Sequence, residues 1–89
     1  MIEHIKLTIK GRVQGVWFRA STKQKADELE VYGFVKNLIN GDVYIEAEAS
    51  TDQLQNFIIW CKKGPTQAHV NDVIEQKGIA EHFTSFEIR

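Results

Sequence analysis

The sequence predicts an α+β sandwich, two helices packed on one face of an antiparallel sheet. Three observations carry this expectation. Residues 4–10 and 43–49 alternate apolar and polar side chains, the period of a half-buried strand. Asn40-Gly41 stands just before the second run and after a third apolar segment, the strongest short signal for a hairpin. Ser50 to Pro65 carries a helical apolar stripe with start and stop signals at its two ends.

The first strand is predicted over His4 to Lys10, with Ile5, Leu7 and Ile9 on one face and Lys6, Thr8 and Lys10 on the other. A glycine-punctuated stretch, Gly11 to Val16, follows. Arg19 to Leu29 then reads as a helix: Phe18, Thr22, Ala26 and Leu29 share a side, opposite Lys23, Gln24, Asp27 and Glu28. Strands are predicted over Gly33 to Leu38 and Val43 to Ala49. The loop between them sets the register. A two-residue turn would place Lys36 opposite the core residue Ile45. A three-residue loop, Ile39-Asn40-Gly41 with Gly41 left-handed, places Val35 opposite Ile45 and Asn37 opposite Val43. The second arrangement is expected, because it keeps a charge off the buried face.

The second helix opens on Ser50-Thr51-Asp52-Gln53, a capping box. Leu54, Phe57, Ile58 and Cys61 form its stripe, Lys62 and Lys63 suit its carbonyl end, Gly64 is a candidate left-handed cap, and Pro65 blocks continuation. Two strand-like pieces close the chain, Ala68 to Lys77 and Thr84 to Arg89. Val70 and Ile74 fit alternation in the first, with Val73 breaking it, and Phe86 and Ile88 fit in the second. The order β-α-β-β-α-β plus a short final strand is that of a ferredoxin-like fold.

At 89 residues the chain is expected to form one domain, 1–89. A net charge of -1 gives no broad basic field, so nucleic acid is not an expected partner. Cys61 is the only cysteine, so neither an internal disulfide nor a cysteine-based zinc site is available. No signal-peptide core and no membrane-length apolar run occur, and a cytoplasmic protein with no membrane partner is expected. His4, His69 and His82 are scattered without metal-ligand spacing and read as surface or sheet-edge residues. Glu46 and Glu48 read as a solvated sheet face, Phe57 and Trp60 as packing, and Cys61 as core.

The chemistry concentrates in Gly11-Arg12-Val13-Gln14-Gly15-Val16-Trp17-Phe18-Arg19, joining a strand to a helix. Gly11 and Gly15 permit backbone conformations closed to other residues. Such a turn can aim successive N–H groups into one concavity, and the following helix adds unpaired N–H groups and a positive dipole end. Arg19 adds a charged fork suited to phosphate oxygens. By spacing alone, the segment fits a simple tight turn equally well. It is neither a P-loop, lacking the Gly-Lys-Ser/Thr ending, nor a three-glycine dinucleotide fingerprint.

Residues 11–19 closely resemble the acylphosphatase signature, G-x-V-Q-G-V-x-F-R. A second family segment, G-x-V-x-N followed by a D-G or N-G turn, is matched by Gly33-Phe34-Val35-Lys36-Asn37 and Asn40-Gly41. Gly64-Pro65, Ala68 to Val73 and Phe83 to Ile88 add weaker likeness, so the resemblance spans nearly the whole chain. It implies the same ferredoxin-like fold and an enzyme that hydrolyses acyl phosphates. It further implies that the backbone N–H groups of Gly11, Arg12, Val13, Gln14, Gly15, Val16, Trp17 and Phe18 hold phosphate. Arg19 would bind it, and Asn37 would hold the attacking water. No metal and no organic cofactor are implied, the partner is a small-molecule acyl phosphate, and a monomer is expected. Three positions depart from the family pattern. Trp17 stands where the family varies freely, often with a small residue, and can wall the pocket. Glu30 stands where glycine often ends the first helix, so a left-handed backbone there would be strained. Tyr44 replaces part of a valine-glutamate pair after the turn.

Two other functions fit the same sandwich: an RNA-binding or regulatory module, and a domain serving a larger carbamoyl-transfer assembly. The first is disfavoured by the absence of RNP-like strand aromatics. The second would need a separate partner.

Overall fold

A computed structural model describes residues 1–89. The order is β1 (Glu3–Arg12), α1 (Phe18–Leu29), β2 (Tyr32–Asn37), β3 (Val43–Ala49), α2 (Thr51–Lys63), β4 (His69–Lys77) and β5 (Phe86–Ile88). The five strands form one sheet in the order β4-β1-β3-β2-β5. This is the ferredoxin-like α+β arrangement expected. Ile5, Leu7, Ile9, Val35, Val43, Ile45 and Ala47 point from the sheet into a core closed by Phe18 and Ala26 of α1 and by Leu54, Phe57 and Cys61 of α2. Burial pushes the Cys61 thiol pKa well above its usual value, which suits a packing role.

The hairpin register is as expected: Val35 faces Ile45 and Asn37 faces Val43. Leu38 N–H donates to Asp42 O at 2.8 Å across the three-residue loop, where Gly41 takes φ 98°. The Ser50 capping box also forms, the Ser50 hydroxyl accepting from Gln53 N–H and Gln53 Oε1 accepting from Ser50 N–H at 3.0 Å.

Several expectations are corrected. The sheet is mixed, because β5 pairs parallel to β2 while the other three pairings are antiparallel. The chain leaves β4 at one edge and crosses the sheet to reach the other, and that crossing fixes the direction in which β5 enters. Val70 and Ile74 do not share a face. A bulge opposite Lys10 and Gly11 leaves Asn71 without a facing residue. Val70 and Val73 both pack on the core while Ile74 is exposed. Gly11 is required there, since a Cβ on it would collide with the His69 carbonyl. Gly64 ends α2 with φ 71° but ψ −177°, not in the left-handed helical well. Pro65 follows it, and a residue before proline is driven to extended ψ.

The largest correction concerns the sheet's outer face. His4 and Glu48 are buried, 4% and 3% exposed. Residues 78–83 lie across this face and cover it. His4 Nδ1 lies 2.6 Å from Glu48 Oε2 and its Nε2 2.9 Å from Glu46 Oε1. The N–H groups of Glu81 and Phe83 donate to the Glu48 carboxylate, and the Phe83 ring stacks on His4. Desolvation pushes the Glu48 pKa up, but the hydrogen bonds from His4 and these two amides outweigh it and hold the pKa below the usual carboxylate value. Tyr44 donates to Glu46 at 2.6 Å, and burial with that hydrogen bond pushes the phenol up to about 12. Alternation alone reads these side chains as solvated, because the segment that covers them lies more than thirty residues further on.

Candidate functional site

The segment between β1 and α1 is anchored from below and open above. Val13, Val16 and Phe18 are buried, while Gly15, Trp17 and Arg19 are exposed. Two left-handed residues shape the turn: Gly15 at φ 73° and Trp17 at φ 67°, ψ 19°. Glycine makes the first inexpensive, whereas a non-glycine residue in this region costs about 1–2 kcal/mol. Trp17 is also the residue that starts α1, and its side chain caps nothing.

The backbone donors of this segment are unspent. The first bond closing α1 runs from Ser21 N–H to Trp17 O at 3.0 Å. None of the amides from Gly15 to Ala20 donates to a backbone or side-chain acceptor. These donors stand at the positive end of the helix dipole, with no acidic residue in its first turn. Arg19 lies in that turn and forms no ion pair, so its guanidinium is free.

A second element is tied to the first. Gln14 Nε2 donates to Leu38 O at 2.8 Å and to Asp42 O at 2.9 Å, clamping the loop to the β2–β3 hairpin. Asp42 is itself held by Lys10 Nζ at 2.8 Å. The hairpin carries Asn37 at the end of β2. Val35 points into the core, so Asn37, two residues on, faces the same side as the helices. β5 adds Ile88 by the same logic, two residues beyond buried Phe86 and paired with Val35.

These groups meet in one open cleft of about 420 Å³, lined by Val13, Gly15, Trp17, Phe18, Arg19, Ala20, Asn37 and Ile88. Of the residues singled out in the sequence, Val13, Gly15, Trp17, Phe18, Arg19 and Asn37 converge here. Gly11, Arg12, Gln14 and Val16 do not line it. Gly11 and Arg12 continue β1 against Val70 and His69, Gln14 turns to the hairpin, and Val16 enters the core. Ala20 and Ile88 were missed. Ile88 has a readable alternation with Phe86, but only the parallel pairing with β2 brings it to this end of the sheet. No Asp, Glu, His or Cys lines the cleft, so its chemistry is that of donors: amides, one guanidinium and one carboxamide.

A family model described as Acylphosphatase matches residues 5–88 of the chain. The chain is 42% identical to an acylphosphatase of Nitrosococcus oceani over 89 residues, covering the whole of both proteins. The structure of an acylphosphatase from Coxiella burnetii superposes with a TM-score of 0.95 at 39% identity, covering 99% of this chain and 93% of that one. The crystal structure of acylphosphatase from Bacillus subtilis gives 0.95 at 33% identity, covering 100% and 99%.

Proposed function

Because the chain belongs to the acylphosphatase family, and is therefore a hydrolase acting on acyl phosphates, we propose that its cleft holds the phosphoryl group on the amides from Gly15 to Ala20 and on Arg19, with Asn37 orienting the attacking water. One observation carries this reading: four residues whose amides are unpaired, Gly15, Trp17, Phe18 and Ala20, line a single cleft together with Arg19, whose guanidinium is free, and Asn37.

The chemistry follows from that donor set. The water oxygen bonds to phosphorus as the bond between phosphorus and the acyl oxygen breaks. The carboxylate leaves with the bonding electron pair. Because it is already a good leaving group, the protein's task is positioning and charge stabilisation. The amides and guanidinium face the equatorial phosphoryl oxygens, where negative charge resides. The Asn37 side chain has one acceptor and two donors, enough to hold a water without deprotonating it. No carboxylate, imidazole or thiol lines the cleft to take a proton, so the water's proton passes to a phosphoryl oxygen of the substrate. The products are a carboxylate and inorganic phosphate.

Steady-state kinetics of Asn37→Ala with inorganic phosphate as competing ligand test the division of roles. The reading expects kcat to fall by about 100-fold or more while inhibition by phosphate persists. A variant that hydrolyses acyl phosphate at the wild-type rate removes Asn37 from the mechanism.

A further inference from the structure

The cleft divides into two chemistries, and only one of them has been used. Its polar side is Arg19, Asn37 and the amides; the remaining lining side chains are apolar. A phosphoryl group occupies the volume of only a few waters, at about 30 Å³ each, a small part of the roughly 420 Å³ present. Val13 and Phe18 are buried and offer little surface, whereas Trp17 is 75% and Ile88 45% exposed. We infer that Trp17 and Ile88 form an acyl subsite that selects substrates with a bulky, apolar or aromatic acyl group over small ones such as acetyl. The inference rests on the phosphoryl group lying on the amides and Arg19.

Two observations set Trp17 apart from an ordinary surface aromatic. Its backbone is held left-handed, a conformation that a tryptophan occupies only at a cost and that clusters at functional positions. Its ring has no aromatic or cationic partner in the fold, although its neighbour Phe18 packs on Trp60. A flat apolar face beside the anchor for the phosphoryl group is therefore left for the ligand. Ile88 lines the same cleft from a separate element and is held in place. β5 is short, but Arg89 N–H donates to Val35 O at 2.8 Å and the Arg89 guanidinium lies over the Phe34 ring at 4.1 Å. The wall that Ile88 presents is thereby fixed to β2, the strand that carries Asn37.

The test compares kcat/KM for benzoyl phosphate and acetyl phosphate in the wild type, Trp17→Ala, Trp17→Phe and Ile88→Ala, with the inhibition constant for inorganic phosphate measured alongside. Benzoate and acetate are leaving groups of similar basicity, so the ratio reports mainly acyl recognition. The wild type is expected to favour benzoyl phosphate. Trp17→Ala should lower the benzoyl-to-acetyl ratio by about tenfold, Ile88→Ala by less, and Trp17→Phe should keep most of it. Alanine is chosen over glycine because it keeps a Cβ at the left-handed position and does not loosen the turn. Ile88→Ala, which changes a strand outside the loop that carries the amides, decides the matter if Trp17→Ala misfolds or loses phosphate inhibition. A ratio unchanged in Ile88→Ala and Trp17→Ala, or a wild type indifferent to the acyl group, overturns the inference while leaving the phosphoryl cradle standing. Failure of the wild type to hydrolyse either substrate would instead overturn the function on which it rests.

Discussion

The two helices begin in opposite ways. At α2, Ser50 and Gln53 satisfy each other's backbone donors, and Asp52 sits in the first turn where the dipole favours a negative charge. At α1, Trp17 caps nothing, the amides from Gly15 to Ala20 have no acceptor, and a cation, Arg19, occupies the unfavourable end of the dipole. One start is arranged for stability. The other forgoes the same stabilisation and leaves donors and charge free for an anionic ligand. The contrast suggests that stability and anion binding are separately mutable here.

Arg19→Ala tests this most severely. Transition-state stabilisation should fall by roughly 2–4 kcal/mol, read as kcat/KM for an acyl phosphate. Thermal stability should stay level or rise, by up to about 1 kcal/mol, because a cation leaves a helix N-terminus. Loss of activity with loss of folding would erase the contrast. Glu48 supplies the next test, since it stabilises the sheet's outer face and touches neither helix start. Its folded pKa is depressed, so its contribution is complete above the ordinary value of 4.5 and is lost as pH falls through the folded value. Glu48→Gln should cost roughly 1.5–3 kcal/mol at neutral pH, from lost charged hydrogen bonds. It should also flatten the acid limb of a pH–denaturation profile.

Ser50→Ala is the mirror of the arginine change. It should cost about 1 kcal/mol of stability, about 4–8 °C in Tm for a chain of this size, with kcat/KM intact. The smallest effect is expected at Glu30, which ends α1 at φ 56°. Glycine there relieves about 1–2 kcal/mol of strain and loses about 0.5–1 to backbone entropy. A net gain near 0.5 kcal/mol, seen by urea denaturation, would mark that strain as incidental to the cleft.

What could be read from the sequence was mostly local. Alternation in β1 and β3, the capping box of α2, and the loop that keeps Lys36 off the buried face each depend on residues a few positions apart, where sterics and hydrogen bonding act directly. The candidate site was partly legible for the same reason: Gly15 and Arg19 lie within one turn. Asn37 came from the second family segment, and the strand register then explained its side. What escaped depends on distant pairings. The burial of His4 and Glu48 requires residues 78–83 to cross the sheet. The inward placement of Val73 requires the bulge opposite Gly11, and the arrival of Ile88 at the cleft requires the parallel pairing with β2. Nor did the motif reveal that Gln14 acts through its side chain, because its acceptors are carbonyls of another hairpin.

Backbone amide NMR during a titration with inorganic phosphate asks directly which helix start is open. The amide signals of Gly15 to Ala20 should move together and saturate with one affinity, those of Thr51 to Leu54 should stay in place, and Arg19→Ala should weaken the response. Amides of the first group that remain still at phosphate concentrations inhibiting hydrolysis would contradict the account.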